Sequence, residues 1–515
     1  MLKKSLYITL FFILSGILGL LCQVLYAKYF GAGPQIDLFF ALHSIPTIIT
    51  GIAPVIFASV FIPIFAEMRQ ERLLDYIAVV RKRVVFFSLL FSLVGGYLTY
   101  YNLDRIYPGA LNGETYPLAV GLCLLFWTST CFSLVNGFWA CVHNYFKRFV
   151  LISVIPLLVY IGIIVSVLMI GPHIGVLSVA LGMTAATIVQ FIIYRIAARQ
   201  RVDSSLYAVC RDYAHISQLS GRILLITASL LPFTAFGFIA YQWGGILEPG
   251  AVSYLGYAHS FSGFLSVAAS MGLATVSFPD LAKELSREDP HRIRVALNAF
   301  ERAVRMAVLF ILVISIFTIV YMQPVLQILL QRGKFGAIDI GNLARVMPWY
   351  FLGGLCIAVM NLVRNVFYSA KLYVHLAVIG VGATVLFVCI RLLLSDHISF
   401  VEVGMVEFFC LLFFALVSLV FLRIRYACFN CSFYLDIFKY TVVCMASCVV
   451  AVVVDWLLPG NFWTVGRIVV CGTVYMAAVD SLLVRVLRNE EIVRVNRILC
   501  YRLRRLVLGC KIDNE

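Results

Sequence analysis

Five ionisable side chains lie inside long apolar stretches of this 515-residue sequence: Asp37, His43, His259, Arg364 and Glu407. A charged group at the centre of a bilayer-spanning helix costs roughly 2.5–3.5 kcal/mol on insertion scales, so such residues are the first candidates for function. Their types and spacing offer recognition and movement of a polar cargo. They do not offer bond making, because the sequence has no P-loop, no HExxH pair, no nucleophile elbow and no large loop domain. Asp37 follows Gly33-Pro34 and suits either a cavity or the capping of a helix start. His43 and His259 suit a cavity wall or hydrogen-bonded packing. Arg364 stands in Asn361-Leu362-Val363-Arg364-Asn365, where it can meet an anion or snorkel to the membrane surface. Glu407 can serve a later span as an interhelical hydrogen-bond partner.

The elements that hold the two histidines resemble each other. Setting His43-Ser44 on His259-Ser260 brings Pro63 onto Pro279, Ser59-Val60 onto Thr275-Val276 and Ala66 onto Ala282. Residues 36–66 also contain Pro46 and Pro54, and interrupted helices in matching positions of two halves mark transport pathways. Gly31, Gly33, Pro46 and Pro54 are therefore candidate helix-break or gating positions. The segment is expected to line a cavity, since neighbouring groups or water must satisfy the carbonyls that each proline frees.

Composition places all of this in a membrane. The chain is 62% hydrophobic and 13% charged, with a mean hydropathy of +0.99, which excludes a water-soluble globule. At about 20 apolar residues per span, the sequence reads as an all-α polytopic protein of about fourteen transmembrane helices. They lie near 5–29, 36–66, 84–101, 117–142, 149–171, 174–194, 219–243, 251–279, 303–330, 346–369, 373–394, 401–422, 436–458 and 464–487. The apolar run after Met1-Leu2-Lys3-Lys4 is too long for the core of a secretory leader and reads as the first of these spans.

The net charge of +15 follows topology rather than a nucleic-acid face. Arg69, Arg72, Arg81, Lys82 and Arg83 share one loop, Arg195, Arg199, Arg201, Arg211 and Arg222 the next of its kind, and Lys283, Arg287, Arg292, Arg294 and Arg302 a third. The alternate loops are nearly bare, so the basic set is cytoplasmic and both termini are expected there, with Arg494, Arg497, Arg502, Arg504, Arg505 and Lys511 in the tail. Loop 331–345 breaks the pattern, being external yet holding Arg332, Lys334 and Arg345. Fifteen cysteines are scattered through apolar segments as small hydrophobes. Cys428 and Cys431 have the spacing of half a zinc site but no second pair, so no metal and no cofactor is expected.

A family resemblance is carried by Tyr29-Phe30-Gly31-Ala32-Gly33-Pro34-Gln35-Ile36-Asp37-Leu38-Phe39-Phe40-Ala41, then Ile45-Pro46, then Phe61-Ile62-Pro63-Ile64-Phe65-Ala66-Glu67. Gln331-Arg332-Gly333-Lys334-Phe335 and Phe367-Tyr368-Ser369 continue it in order. Over essentially its whole length the chain resembles the MviN/MurJ-type lipid II flippases of the multidrug/oligosaccharidyl-lipid/polysaccharide exporter superfamily. The resemblance implies two six-helix lobes around a central cavity, 1–200 and 201–425, with two further helices and a basic cytoplasmic tail in 426–515. It also implies a monomer in the bacterial inner membrane that passes an undecaprenyl-pyrophosphate-linked glycopeptide between leaflets by alternating access. Coupling to an ion gradient or to the membrane potential is left open, and the ion with it.

The same resemblance implies arginines that meet the pyrophosphate, and here the sequence departs from it. Residues 15–23 of the first span carry no cation, Ile49-Thr50-Gly51 stands where a double arginine follows Pro46, and His259-Ser260 stands where an arginine follows Tyr257-Ala258. Lys28 and Asp37 match the family. The candidate substrate-cavity residues are thus Lys28, Asp37, His43, His259, Ser260 and Arg364. A flippase for another polyprenyl-linked glycan is the first alternative, and a cation-coupled drug antiporter the second.

Overall fold

Backbone groups inside a bilayer have no water to bond, so a chain this apolar satisfies them within helices. The computed structural model describes residues 2–68, 70–107, 113, 115–202, 214–285, 290–394, 398–426, 428–459 and 464–485, and among these there is no strand. Arg69, Arg211, Arg287 and the basic residues from Arg494 onward lie outside the described residues.

Seventeen helices follow one another among the described residues. The first eight are α1 (Leu2–Phe30), α2 (Pro34–Glu67), α3 (Gln70–Tyr101), α4 (Leu103–Ile106), α5 (Thr115–Tyr145), α6 (Phe149–Val154), α7 (Leu157–Ile174) and α8 (Leu177–Val202). They continue with α9 (Ala214–Gly244), α10 (Ala251–Leu285), α11 (Pro290–Val320), α12 (Met322–Leu330), α13 (Ala337–Ser369), α14 (Tyr373–Leu394), α15 (Phe400–Tyr426), α16 (Cys431–Leu457) and α17 (Thr464–Arg485). Eleven segments among the described residues are long and apolar enough to cross a membrane. The expected span 303–330 is divided, because the chain turns at Tyr321 and resumes as the short α12.

Packing joins α2 to α5, α5 to α3 and α8, α7 to α8, and α1 to α7. A second set joins α10 to α11 and α13, α13 to α15, and α9 and α15 to α14, while α16 pairs with α17 and leans on α11. The two sets meet where α1 and α2 touch α9 and α10. The outer faces of α3, α14 and α16 expose Phe86, Phe87, Leu93, Val378, Leu393, Val449 and Trp456, a surface suited to lipid tails.

One expectation is corrected. Pro46, Pro54 and Pro63 all lie within α2, which is a single helix of 34 residues, so Pro46 and Pro54 are not helix breaks. Around Pro46 the Ser44 hydroxyl donates to the Ala41 carbonyl at 2.7 Å, Thr47 to His43 at 2.7 Å and Thr50 to Pro46 at 3.2 Å. These bonds fall on carbonyls other than that of Leu42, the one Pro46 leaves without its helical donor, so the helix runs on past Pro46 without them bridging that gap. The interruption falls instead between α1 and α2, where Gly31 takes a φ of 73° that a side chain would resist.

Candidate functional site

The two copies of the repeated segment begin in step. Pro34 and Gly250 are equivalent positions, and α2 starts at the first while α10 starts one residue after the second. At these starts the copies touch at equivalent residues. Asp37 meets Ser253, 216 positions later, through the Ser253 backbone N–H at 2.7 Å and through its hydroxyl, both donating to Oδ1. The Gly250 N–H donates to the other carboxyl oxygen at 2.6 Å, and the Tyr107 hydroxyl to the same atom at 3.0 Å. One turn on, Phe40 packs on Gly256, its own equivalent, where an added Cβ would stand 2.6 Å from the ring. Self-equivalent contacts of this sort lie beside a two-fold axis.

Asp37 is therefore a helix cap, but of the other copy. It satisfies the first amides of α10, which have no partner within that helix, and it is fully buried in doing so. Tyr107 reaches it from the turn after α4. Burial first, and then the Asp37 carboxyl, raise the phenol above its ordinary value, so Tyr107 stays a donor.

The loop after α12 locks over the same end. The Lys334 N–H donates to the Lys28 carbonyl at 3.0 Å, and the Tyr257 hydroxyl to the Gly31 carbonyl at 2.8 Å. Gly333, at φ 65°, lies so close that a Cβ would stand 2.1 Å from the Lys28 oxygen, and Phe335 is buried edge-on to Tyr257. Arg332 and Lys334 flank this packing element, whereas Arg345 lies on α13.

Below this latch each copy turns an accessible stripe toward open space. On α2 it runs His43, Thr47, Gly51; on α10 it runs His259, Gly263, Val267, the equivalent positions. A spacing of four residues keeps each stripe on one helix face. His43 lies flat on Phe39 and against Phe126, with ring centroids at 5.5 and 5.1 Å. His259 stands edge-on to Tyr241 and Tyr350, over Gly237.

Toward the other end, α2 and α9 close on each other around a mainly apolar cluster. Ile52, Ile226 and Leu230 are buried there, with Ile48, Val55, Ile56, Tyr368 and Tyr373 packed around them. Ile52 is about 22 Å along α2 from Asp37, at 1.5 Å per residue.

The remaining candidates separate along this axis rather than forming one constellation. Lys28 is exposed at the latch end beside the Tyr29 ring. Ser260 turns its hydroxyl back to the Gly256 carbonyl at 2.8 Å. Arg364 sits near the far end of α13 with its guanidinium 5.1 Å from the Phe233 ring centre, a cation–π contact between α13 and α9. Gly33 donates to the Ser253 hydroxyl at 3.3 Å and belongs to the latch. Cys428 is buried, Cys431 is exposed, and their thiols turn to Leu422 and Arg423 respectively. Sequence reasoning missed Ser253, Gly250, Tyr107 and Tyr257. Ser253 alone carried a signal, since it occupies the position equivalent to Asp37.

Comparison with known proteins agrees with this architecture. The family profile described as lipid II flippase MurJ matches residues 26–471. A lipid II flippase MurJ of Burkholderia cenocepacia is 22% identical over 379 residues, covering 70% of this chain and 72% of that one. A probable lipid II flippase MurJ of Buchnera aphidicola is 25% identical over 396 residues, covering 72% and 74%. Among solved structures, a lipid II flippase MurJ in an inward closed conformation superposes with a TM-score of 0.76 at 18% identity, covering 94% of this chain and 99% of that one. An inward-facing multidrug transporter of the MATE family superposes with a TM-score of 0.59 at 13% identity over 82% of this chain and 94% of that one.

Proposed function

This chain belongs to the lipid II flippase MurJ family, and we propose that it carries the lipid-linked peptidoglycan precursor from the cytoplasmic to the outer leaflet by alternating access. The observation that carries the reading is the family match over residues 26–471, which spans both copies of the repeat and the latch between them. The relatives are named as lipid II flippases, which favours this substrate over another polyprenyl-linked glycan and over a drug.

The distribution of basic loops supports a latch end outside and both termini in the cytoplasm. Residues 1–200 and 201–425 then act as lobes that rock about the latch and about the apolar contact, with 426–515 appended. Two separate closures, one polar and one apolar, are what alternating access requires, since each must open while the other holds. His43 and His259 line the space between them from opposite lobes. Arg364 supplies the fixed cation at the cytoplasmic half, where the diphosphate enters. A dianion in a low-dielectric cavity requires such compensation. Asp37, Gly31 and Gly33 serve the outer gate rather than the cargo, and Lys28 rims it. The chain works as a monomer, because one copy contains both lobes.

The test is depletion of the protein followed by an assay of lipid II at the outer leaflet. Loss of outer accessibility with accumulation inside is the expected result. Unchanged accessibility would sink the reading.

A further inference from the structure

Glu407 lies on α15, two helical turns in from Phe400, and is 2% exposed. The Tyr350 hydroxyl of α13 donates to its Oε2 at 2.6 Å. Its other oxygen faces Nδ1 of His259 of α10 at 4.0 Å, the only ion-pair partner Glu407 has among the described residues. Tyr241 of α9 stands edge-on to the His259 ring and near the same carboxyl, and Cys410 is the nearest thiol along α15. No lysine or arginine among the described residues pairs with it. His259 itself is different from the acid it faces: 38% of its side chain is accessible, on the stripe that lines open space. The pair therefore joins a buried acid to an accessible imidazole across a gap that one water, or a small turn of the ring, can bridge.

An isolated buried carboxylate is expensive in a membrane, and a neutral carboxyl beside a neutral imidazole is not. We propose that Glu407 and His259 bind one exchangeable proton between them and that its uptake and release are tied to the transport cycle, so that the chain is proton-coupled. This rests on the flippase reading for its cargo but not for the site. The transfer is a proton relay with no other bond change. Water delivers a proton to Nε2 of His259 as the Nδ1 proton passes to Glu407, leaving both groups neutral; the reverse order releases it.

The experiment uses the full chain reconstituted in vesicles. Infrared difference spectra across a pH titration should show a carboxyl C=O band that is lost in Glu407→Gln, with a midpoint displaced in His259→Asn and in Tyr350→Phe. The two milder variants keep the test valid should Glu407→Gln fold poorly. A band that survives Glu407→Gln, or a midpoint unmoved by both other substitutions, overturns the proposal. In the same vesicles, with membrane potential clamped to zero, flipping of labelled lipid II should follow an imposed pH gradient in the wild type and lose that response in Glu407→Gln. Flipping that ignores the gradient overturns the coupling while leaving lipid II as cargo. A wild type that moves no lipid II but shows the band and its displacements refutes the lipid II reading and upholds the proton site.

Discussion

Asp37 and Ser253 occupy the same position in the two copies of a repeated segment, and they are bonded to each other. One copy presents an acid where the other presents a hydroxyl and a free helix start. The contact is thus asymmetric chemistry at a symmetric place, and it holds two helix groups together without any cation. Its loss should free this end of the bundle.

Asp37→Ala removes an acceptor from three backbone or hydroxyl donors and from Tyr107. Bonds to a charged acceptor contribute about 1.5–3 kcal/mol each, not additively, so the closed end should lose about 2–4 kcal/mol. Hydrogen exchange of the Gly250 and Ser253 amides should accelerate roughly thirtyfold or more at ten-fold per 1.4 kcal/mol. Tyr107→Phe, which deletes one donor of four, should accelerate it by less than tenfold.

Gly333→Ala places a Cβ 2.1 Å from the Lys28 carbonyl oxygen at a φ of 65°. Strain at such a position costs about 1–3 kcal/mol, and the Lys334 to Lys28 hydrogen bond goes with it. A lowered melting temperature in detergent is the expected reading. Gly263→Ala, where nothing lies within 4 Å, should leave the melting temperature unchanged.

Leu230→Ala thins the apolar contact between α2 and α9. Large-to-small changes in packed apolar sites cost about 2–5 kcal/mol. Exchange in residues 224–232 should rise while Gly250 and Ser253 keep their protection. Equal loss at both ends would show that the two closures are one unit, contrary to the arrangement described.

Arg364→Ala should reduce lipid II flipping by at least about tenfold, the loss of one charge-assisted contact to the diphosphate at roughly 1.5–3 kcal/mol. Arg364→Lys should retain part of it, since it keeps the charge but not the stacking on Phe233. Flipping unaffected by alanine at Arg364, His43 and His259 together would end the assignment of all three to the pathway.

The helices were legible because a bilayer leaves little choice: 20 apolar residues in a row can hardly be anything else. The repeat was legible too, and with it the equivalence of His43 and His259. What stayed hidden was partnership. Asp37 reads from its neighbours as the cap of its own helix, and nothing local says that it reaches Gly250 and Ser253 across the bundle. Pro46 and Pro54 read as breaks, because local pattern registers the missing N–H donors but not the packing that carries α2 unbroken through both. Glu407 looked like one hydrogen-bond partner among many until Tyr350 and His259 were placed against it.

The unlike chemistry of the two closures has a thermal consequence. Opening the contact of Ile52, Ile226 and Leu230 exposes mainly apolar surface and so raises the heat capacity, whereas opening the Asp37 latch exposes polar groups along with Phe40 and Phe335 and raises it less per unit area. Apolar association weakens on cooling. The relative hold of the two contacts therefore drifts with temperature: chilling loosens the Ile52 end first, and warming in the physiological range favours keeping it shut. Which end of the bundle yields first is thus set partly by the thermometer.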